Sequence, residues 1–222
     1  MLPIVALVRR FSEDFLNAHN ADVPLELLIE DYRLMVAGTK LPGGAAGYHR
    51  AARNLFEQFP DLRFTMHEVI TDGSRVATRF SVEGSSTRHS GNKAAWGGCG
   101  IYGFDGERFT ECWVEEDHDR ARRQLRSGGF EPLHQPPGPP DPFTARPTQP
   151  GDGVTDAAIS WLVGGGGERL GSTVQVDALL VTGDRFAFHT SSPSVHVSGM
   201  ATAQPDGSVR DISTFSDGGT PA

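Results

Sequence analysis

The sequence predicts an α+β fold, because apolar residues recur at helical spacing before Pro60 and at a period of two from Arg63 onward. A block of eight prolines between residues 131 and 150 then interrupts both patterns. These observations divide the 222-residue chain into a domain over 1–126, a proline-rich linker over 127–152 and a smaller unit over 153–222.

Val5, Val8, Phe11, Phe15 and Leu16 share one face of an amphipathic helix over residues 3–18. Leu25, Leu27, Leu28 and Ile29 suggest a short second helix, and Ala45 to Phe59 a third, stopped by Pro60. Three helices are thus expected before any strand. Strands follow at 63–71 and 75–83, joined by the turn Asp72-Gly73-Ser74, and at 93–104 and 107–116, joined at Asp105-Gly106. Residues 118–125 form a short helix whose Arg120, Arg122, Arg123 and Arg126 read as a solvated face.

Beyond the prolines, 154–163 is a helix broken by Gly164 to Gly167, and strands return at 174–181 and 185–190. This half echoes the first. Gly73, Arg75 and Ala77 align with Gly183, Arg185 and Ala187, and Phe109 to Asp117 aligns with Val209 to Asp217. A tandem copy that has lost two helices explains the echo. A unit of about 70 residues buries too little to stand alone, so it should dock on the exposed face of the first sheet, giving a pseudo-dimer within one chain. A homodimer is a further possibility.

Twenty Lys and Arg against 28 Asp and Glu give a net charge of −8, which argues against nucleic acid as a partner. The apolar start Met1 to Val8 lacks a preceding positive charge and a cleavage site, so it reads as helix. Nowhere do 18 apolar residues run together, so no membrane span is expected. Cys99 and Cys112 build neither a disulfide framework nor a four-thiolate site, and cytoplasm is the default compartment. No metal-ligand spacing, nucleophile elbow or phosphate loop occurs, so neither metal nor organic cofactor is expected; Gly97-Gly98-Cys99-Gly100 reads as a strand bulge.

Strand parity selects the candidate site residues. Phe109, Glu111, Trp113, Glu115 and Asp117 share one face, against Thr110, Cys112, Val114 and Glu116 on the other. Arg79 lies opposite the packing residues Val76, Thr78, Phe80 and Val82, so it points into something enclosed, with Glu111 or Glu115 as its natural partner. His67 shares a face with Thr65 and Val69, against Phe64, Met66, Glu68 and Ile70. A carboxylate among aromatic walls has its pKa raised and can move protons near neutrality, and Asp117 beside Trp113 and Tyr102 could be such a group. It could equally cap the helix that begins at His118. His19, His49, His118 and His134 read as surface, whereas His67, His89, His189 and His196 lie in or beside strands.

Gly47 to Leu62, ending Phe-Pro-Asp-Leu, together with Glu111-Cys-Trp113-Val-Glu-Glu-Asp117 and the trailing Gln124-Leu125, resembles the SnoaL-like polyketide cyclase family over residues 4–126. The resemblance implies the cone-shaped α+β fold of the nuclear transport factor 2-like superfamily, with a curved antiparallel sheet and helices around an apolar pocket. It further implies cofactor-independent ring closure of an apolar, carbonyl-bearing small molecule, with Asp117 as acid/base and Arg79, His67, His89 or Tyr32 as donor. Tyr32, His67, Trp96, Tyr102, Trp113 and Glu115 would contact substrate. The chain departs from the family at Asp31-Tyr32-Arg-Leu-Met35, which lacks the usual histidine, and at Asn92 to Gly98, while His89 keeps the family's place. The second half keeps Asp211 and Asp217 but has Ser213 where Trp113 stands, so one site is expected, in the first half, with the second half as its wall or lid. Two other functions fit the residues: epoxide opening or cyclic ether formation by Asp117, Glu115 and Arg79, and small-molecule binding without catalysis.

Overall fold

The computed structural model describes residues 1–164, 174–193 and 195–216. Gly165 to Gly167 and Asp217, used in the sequence reading, lie outside them. Helix α1 (Pro3–Arg10) continues as a π-helical stretch over Phe11–Asn17, together spanning the predicted first helix. The second helix is a single turn, α2 (Pro24–Leu27), after which the chain becomes extended in β1 (Leu28–Val36) and β2 (Thr39–Lys40). Two strands therefore precede α3 (Gly44–Gln58), against the expectation of helices only, and Tyr32 stands on a strand. The cluster Leu25 to Ile29 imitated helical spacing, whereas the strand's own signal is the alternation of Tyr32 and Leu34 with the charged, exposed Asp31 and Arg33.

Strands β3 (Arg63–Thr71), β4 (Arg75–Ser85), β5 (Lys93–Phe104) and β6 (Phe109–Glu116) form the predicted meander, followed by α4 (His118–Ser127). The sheet order is β2-β1-β6-β5-β4-β3. Because β1 runs parallel to β6, the sheet is mixed rather than wholly antiparallel. Its glycine run is not a bulge, since Thr78, Phe80 and Ser81 pair in unbroken register with Gly100, Gly98 and Gly97. The glycines serve close approach: a Cβ on Gly98 would stand 2.5 Å from the Phe80 ring and 2.9 Å from Cγ of Glu116.

The bulge lies instead in β3, between Met66 and Glu68. It overturns the parity read for His67: Met66 stays opposite Phe80, but Glu68 and Ile70 come opposite Arg79 and Ala77, on the other side of the sheet.

A second sheet contains β7 (Gln175–Thr182), β8 (Arg185–Ser191), β9 (His196–Ala203) and β10 (Val209–Ser216), in the antiparallel order β10-β9-β8-β7. One of its faces carries Phe186, Phe188 and Val197, which pack on Val154, Ala158 and Leu162 of α5 (Val154–Val163). The other lies on the first sheet, where Ile70, Ala77, Cys99 and Ile101 meet Ala178, Leu180, Ala187 and Met200. The two hairpins correspond in register: Ile70 pairs Ala77 as Leu180 pairs Ala187, and the irregularity between Met66 and Glu68 recurs between Val176 and Ala178. Arg75 and Arg185, one from each hairpin, both cross the seam, to the Leu179 carbonyl at 3.3 Å and to Glu68 at 2.7 Å.

Residues 128–153 contain only one short helical turn, Pro142–Thr144, but the segment is fastened along its length. Arg120 donates to the Glu131 carbonyl, Arg79 to Gln135 Oε1 and the Pro136 carbonyl, and Gly183 N–H to the Thr148 carbonyl. It is a strap across the seam rather than a free tether. Among the described residues no helix is long and apolar enough to cross a membrane.

Candidate active site

The face of the first sheet turned away from the second sheet is roofed by α1, its π-helical continuation and α3. Between them lies a cavity of about 290 Å³ whose lining comes entirely from residues 11–118. The second half therefore does not form its wall or lid. Phe11, Phe15, Tyr48, Phe64, Phe80 and Trp96 make the cavity apolar, and Tyr32 and Tyr102 add phenols at its sheet side. Such a lining excludes water and strengthens any charge interaction inside.

Polar chemistry enters from the end of β6. Cys112, Val114 and Glu116 alternate into the cavity, and His118, the first residue of α4, follows. Trp96 Nε1–H donates to Glu116 Oε2 at 2.6 Å, and His118 Nε2 lies 3.4 Å from the same oxygen. Burial pushes the Glu116 carboxyl upward, but His118 and Trp96 outweigh it and hold the group below its usual 4.5. Burial, with the Cys112 thiol and neighbouring phenols, keeps Tyr32 well above the ordinary phenol range. Its hydroxyl meets no nitrogen or oxygen partner among the described residues, only the weakly bonding Cys112 thiol, so a neutral donor is readily turned to a ligand in an apolar chamber.

Of the residues selected from sequence, Tyr32, Trp96 and Tyr102 line this cavity. Asp117 does not. Its Oδ1 accepts the Arg120 backbone N–H at 2.9 Å, as an N-cap does. Arg79, 1% exposed, points to the opposite face of the sheet and pairs with Glu68 at 3.1 Å, not with Glu111 or Glu115. Glu115, 0% exposed, meets His189 at 3.1 Å, and Trp113 packs on the same imidazole with ring centroids 5.0 Å apart. His67 bonds Ser81 Oγ at 2.8 Å; burial and then the nearby Arg79 charge lower its pKa. His89 sits in the β4–β5 connection and bonds Ser86 Oγ at 3.0 Å. The trio that epoxide opening would need, Asp117, Glu115 and Arg79, is thus dispersed over three separate sets of partners.

Sequence reasoning passed over Glu116, His118, Tyr48 and Cys112. The usable signal was present: Cys112 and Val114 mark the apolar face of β6, and in a sheet roofed by helices the apolar face is the inner one. His118 was read as surface because it opens a charged helix.

A mixed six-stranded sheet with helices over an apolar cavity defines an α+β pocket protein. Residues 8–112 match the SnoaL-like domain family, so the chain contains a SnoaL-like domain of the nuclear transport factor 2-like type. The fold is similar to that of a protein from Jannaschia sp. CCS1, provisionally assigned as a SnoaL-like polyketide cyclase, with 18% identity and a TM-score of 0.52; the match covers 57% of this chain and 96% of that one. A polyketide cyclase, again provisionally assigned, from Acidithiobacillus ferrooxidans is 22% identical, with a TM-score of 0.49 over 56% of this chain and 94% of that one. TsrD from Streptomyces laurentii is 23% identical, with a TM-score of 0.48 over 54% of this chain and 95% of that one. No curated protein sequence matches the chain.

Proposed function

We infer that the chain is a cofactor-independent acid/base enzyme of the cyclase or isomerase type, acting in the cavity on an apolar, carbonyl-bearing small molecule of the kind found in polyketide-like natural products. The observation that carries this reading is the presence, in one apolar chamber, of a carboxylate held below its usual pKa at Glu116 and of a neutral phenol at Tyr32 whose only polar neighbour is the Cys112 thiol. Glu116 takes a proton from the carbon α to the substrate carbonyl. Tyr32 donates a hydrogen bond to the oxygen as enolate charge develops there. His118, beside Glu116 as its cationic partner, protonates the product alkoxide or carbon and is then reprotonated from the Glu116 carboxyl. The enolate carbon then attacks a second carbonyl of the same molecule, which closes a ring, or is reprotonated elsewhere, which isomerises it. Asp117 supports this arrangement by fixing the start of α4, where His118 stands.

The register correspondence of the two hairpins, bulge included, supports reading the second sheet with α5 as a truncated copy of the first domain, and the whole as a pseudo-dimer in one chain. The saturation of Glu116 Oε2 by Trp96 and His118 favours the alternative of a binding protein without catalysis.

Exchange of the α-hydrogens of β-tetralone for deuterium, followed by proton NMR, separates the two without knowledge of the natural substrate. Catalysed exchange that falls about 10²–10⁴-fold in Glu116→Gln is expected for an enzyme. Because Glu116 is held below its usual 4.5, the catalysed rate should stay level from neutrality down to about that pH and decline only below it, an acid limb absent from the variant. Saturable binding of β-tetralone with no catalysed exchange at any pH would establish the binding-protein alternative.

A further inference from the structure

On the far side of the sheet from the cavity, the seam holds a second concentration of ionisable groups that the proposed chemistry does not use. Glu115 from β6, His189 from β8 and His196 from β9 bring one ligand atom each to within 4.8 Å of one another. Glu115 and His189 are fully buried and His196 partly so. We propose that these three side chains bind a single divalent transition-metal ion, of the zinc class, that fastens the second sheet to the first.

The surroundings of His189 carry the argument. Its Nδ1 stands 2.9 Å from Asp177 Oδ2, and its Nε2 stands 3.1 Å from Glu115 Oε1. With a carboxylate at each ring nitrogen, His189 donates to both as an imidazolium; in the neutral tautomer its N–H goes to Asp177 at Nδ1 and the Nε2 lone pair lies beside Glu115 Oε1. A metal cation takes the place of the second proton, bonding both Nε2 and the Glu115 oxygen where the carboxylates of Asp177 and Glu115 already lie. A carboxylate on the rear nitrogen of a ligating histidine is the arrangement that fixes tautomer and ring direction in metal sites.

The other two ligands are prepared in the same manner. Glu115 Oε2 accepts the Ala37 backbone N–H at 3.2 Å, which sets the plane of the carboxylate. His196 packs its Nε2 edge against Gly38, at φ +68° in the β1–β2 turn, where any side chain would collide with the ring. Its Nδ1 is buried with no hydrogen-bond partner, an isolated cost unless something coordinates it. Two imidazoles and a carboxylate form the donor set of three-ligand zinc sites, with a fourth position left for water. With bonds of about 2.0–2.2 Å, neighbouring ligand atoms on zinc lie roughly 3.4 Å apart, so atoms within 4.8 Å of one another must close by at most roughly 1.4 Å. Chain spacing could not show the site, because Glu115 and His189 are 74 residues apart and meet only across the seam.

The test uses the full chain, stripped with a chelator and titrated with zinc chloride at neutral pH by calorimetry. The expected result is one zinc per chain, bound at least tenfold more weakly by His196→Ala and about 10–100-fold more weakly by Asp177→Asn. His49→Ala, which alters a surface imidazole paired with Asp22, should leave zinc binding unchanged. Cobalt in place of zinc should give the visible bands of a four- or five-coordinate nitrogen/oxygen site in the unmutated chain, a readout that needs no variant to fold. Failure to take up stoichiometric zinc, or equal uptake by His196→Ala with its circular dichroism unchanged, would overturn the proposal.

Discussion

Glu115 and Glu116 are neighbours on β6 and face opposite worlds. Glu116 enters an aromatic chamber where one indole and one imidazole hold it ionised and a substrate-sized space adjoins it. Glu115 enters a seam packed by a second sheet, where its two oxygens meet the Ala37 N–H and His189, both from other parts of the chain. The cavity face thus keeps its carboxylate beside open space, whereas the seam face spends its charges on holding two sheets together. The same strand scaffold serves both purposes, and what covers each face decides which. The second sheet makes the point again, since the face equivalent to the cavity side is filled by Phe186 and Phe188 packed on α5.

If this division is real, changes on the seam should alter stability and leave exchange chemistry nearly intact. The largest effect is expected from Glu68→Ala. It strands Arg79, whose side chain is 2% exposed, together with Arg185, and should cost about 3–5 kcal/mol in urea unfolding. A loss below about 1 kcal/mol would mean that the pair is solvated and the seam loose. Next comes Met200→Ala, which opens a void between the sheets and should cost about 2–5 kcal/mol while β-tetralone exchange per folded molecule is unchanged. Asp117→Ala removes a helix cap and should cost about 1 kcal/mol, with exchange reduced far less than in Glu116→Gln. Equal losses of exchange in the two variants would return Asp117 to the role the family resemblance gave it. The smallest effect concerns His67, whose pKa is lowered from its usual 6.5 by burial and by Arg79. The unfolded chain then takes up the proton first, so this histidine contributes stability above pH 6.5 that fades as pH falls through its lowered value. His67→Asn should flatten the slope of stability against pH in that window, measured by unfolding at a series of pH values.

The meander was legible because alternation and the Asp-Gly turns act locally, and residues 63–71, 93–104 and 154–163 have the expected bounds. β1 was hidden by four clustered apolar residues that satisfy a helical period as well as a strand's. The bulge between Met66 and Glu68 leaves no local mark, and it alone turns Glu68 toward Arg79. Parity correctly separated Glu115 from Glu116, but it cannot say which face is inside. That depends on α1, α3 and a sheet contributed from beyond the prolines, which are long-range facts. Tyr32, Trp96 and Tyr102 could be chosen from sequence because large aromatics mark the chamber; Glu116 was marked only by sharing a face with Cys112 and Val114, and His118 was masked by the charged helix it opens.

The strap between residues 127 and 153 has a consequence for how this seam can vary. In a dimer of identical chains, a two-fold interface repeats every contact, and any substitution appears on both sides at once. Here the register partners differ: Glu68 corresponds to Ala178, Arg79 to His189 and Glu115 to Phe215. Joining the halves in one polypeptide frees each side to mutate by itself. A charge can then be set against its complement without a duplicate elsewhere, and dilution of the protein does not part the two sheets.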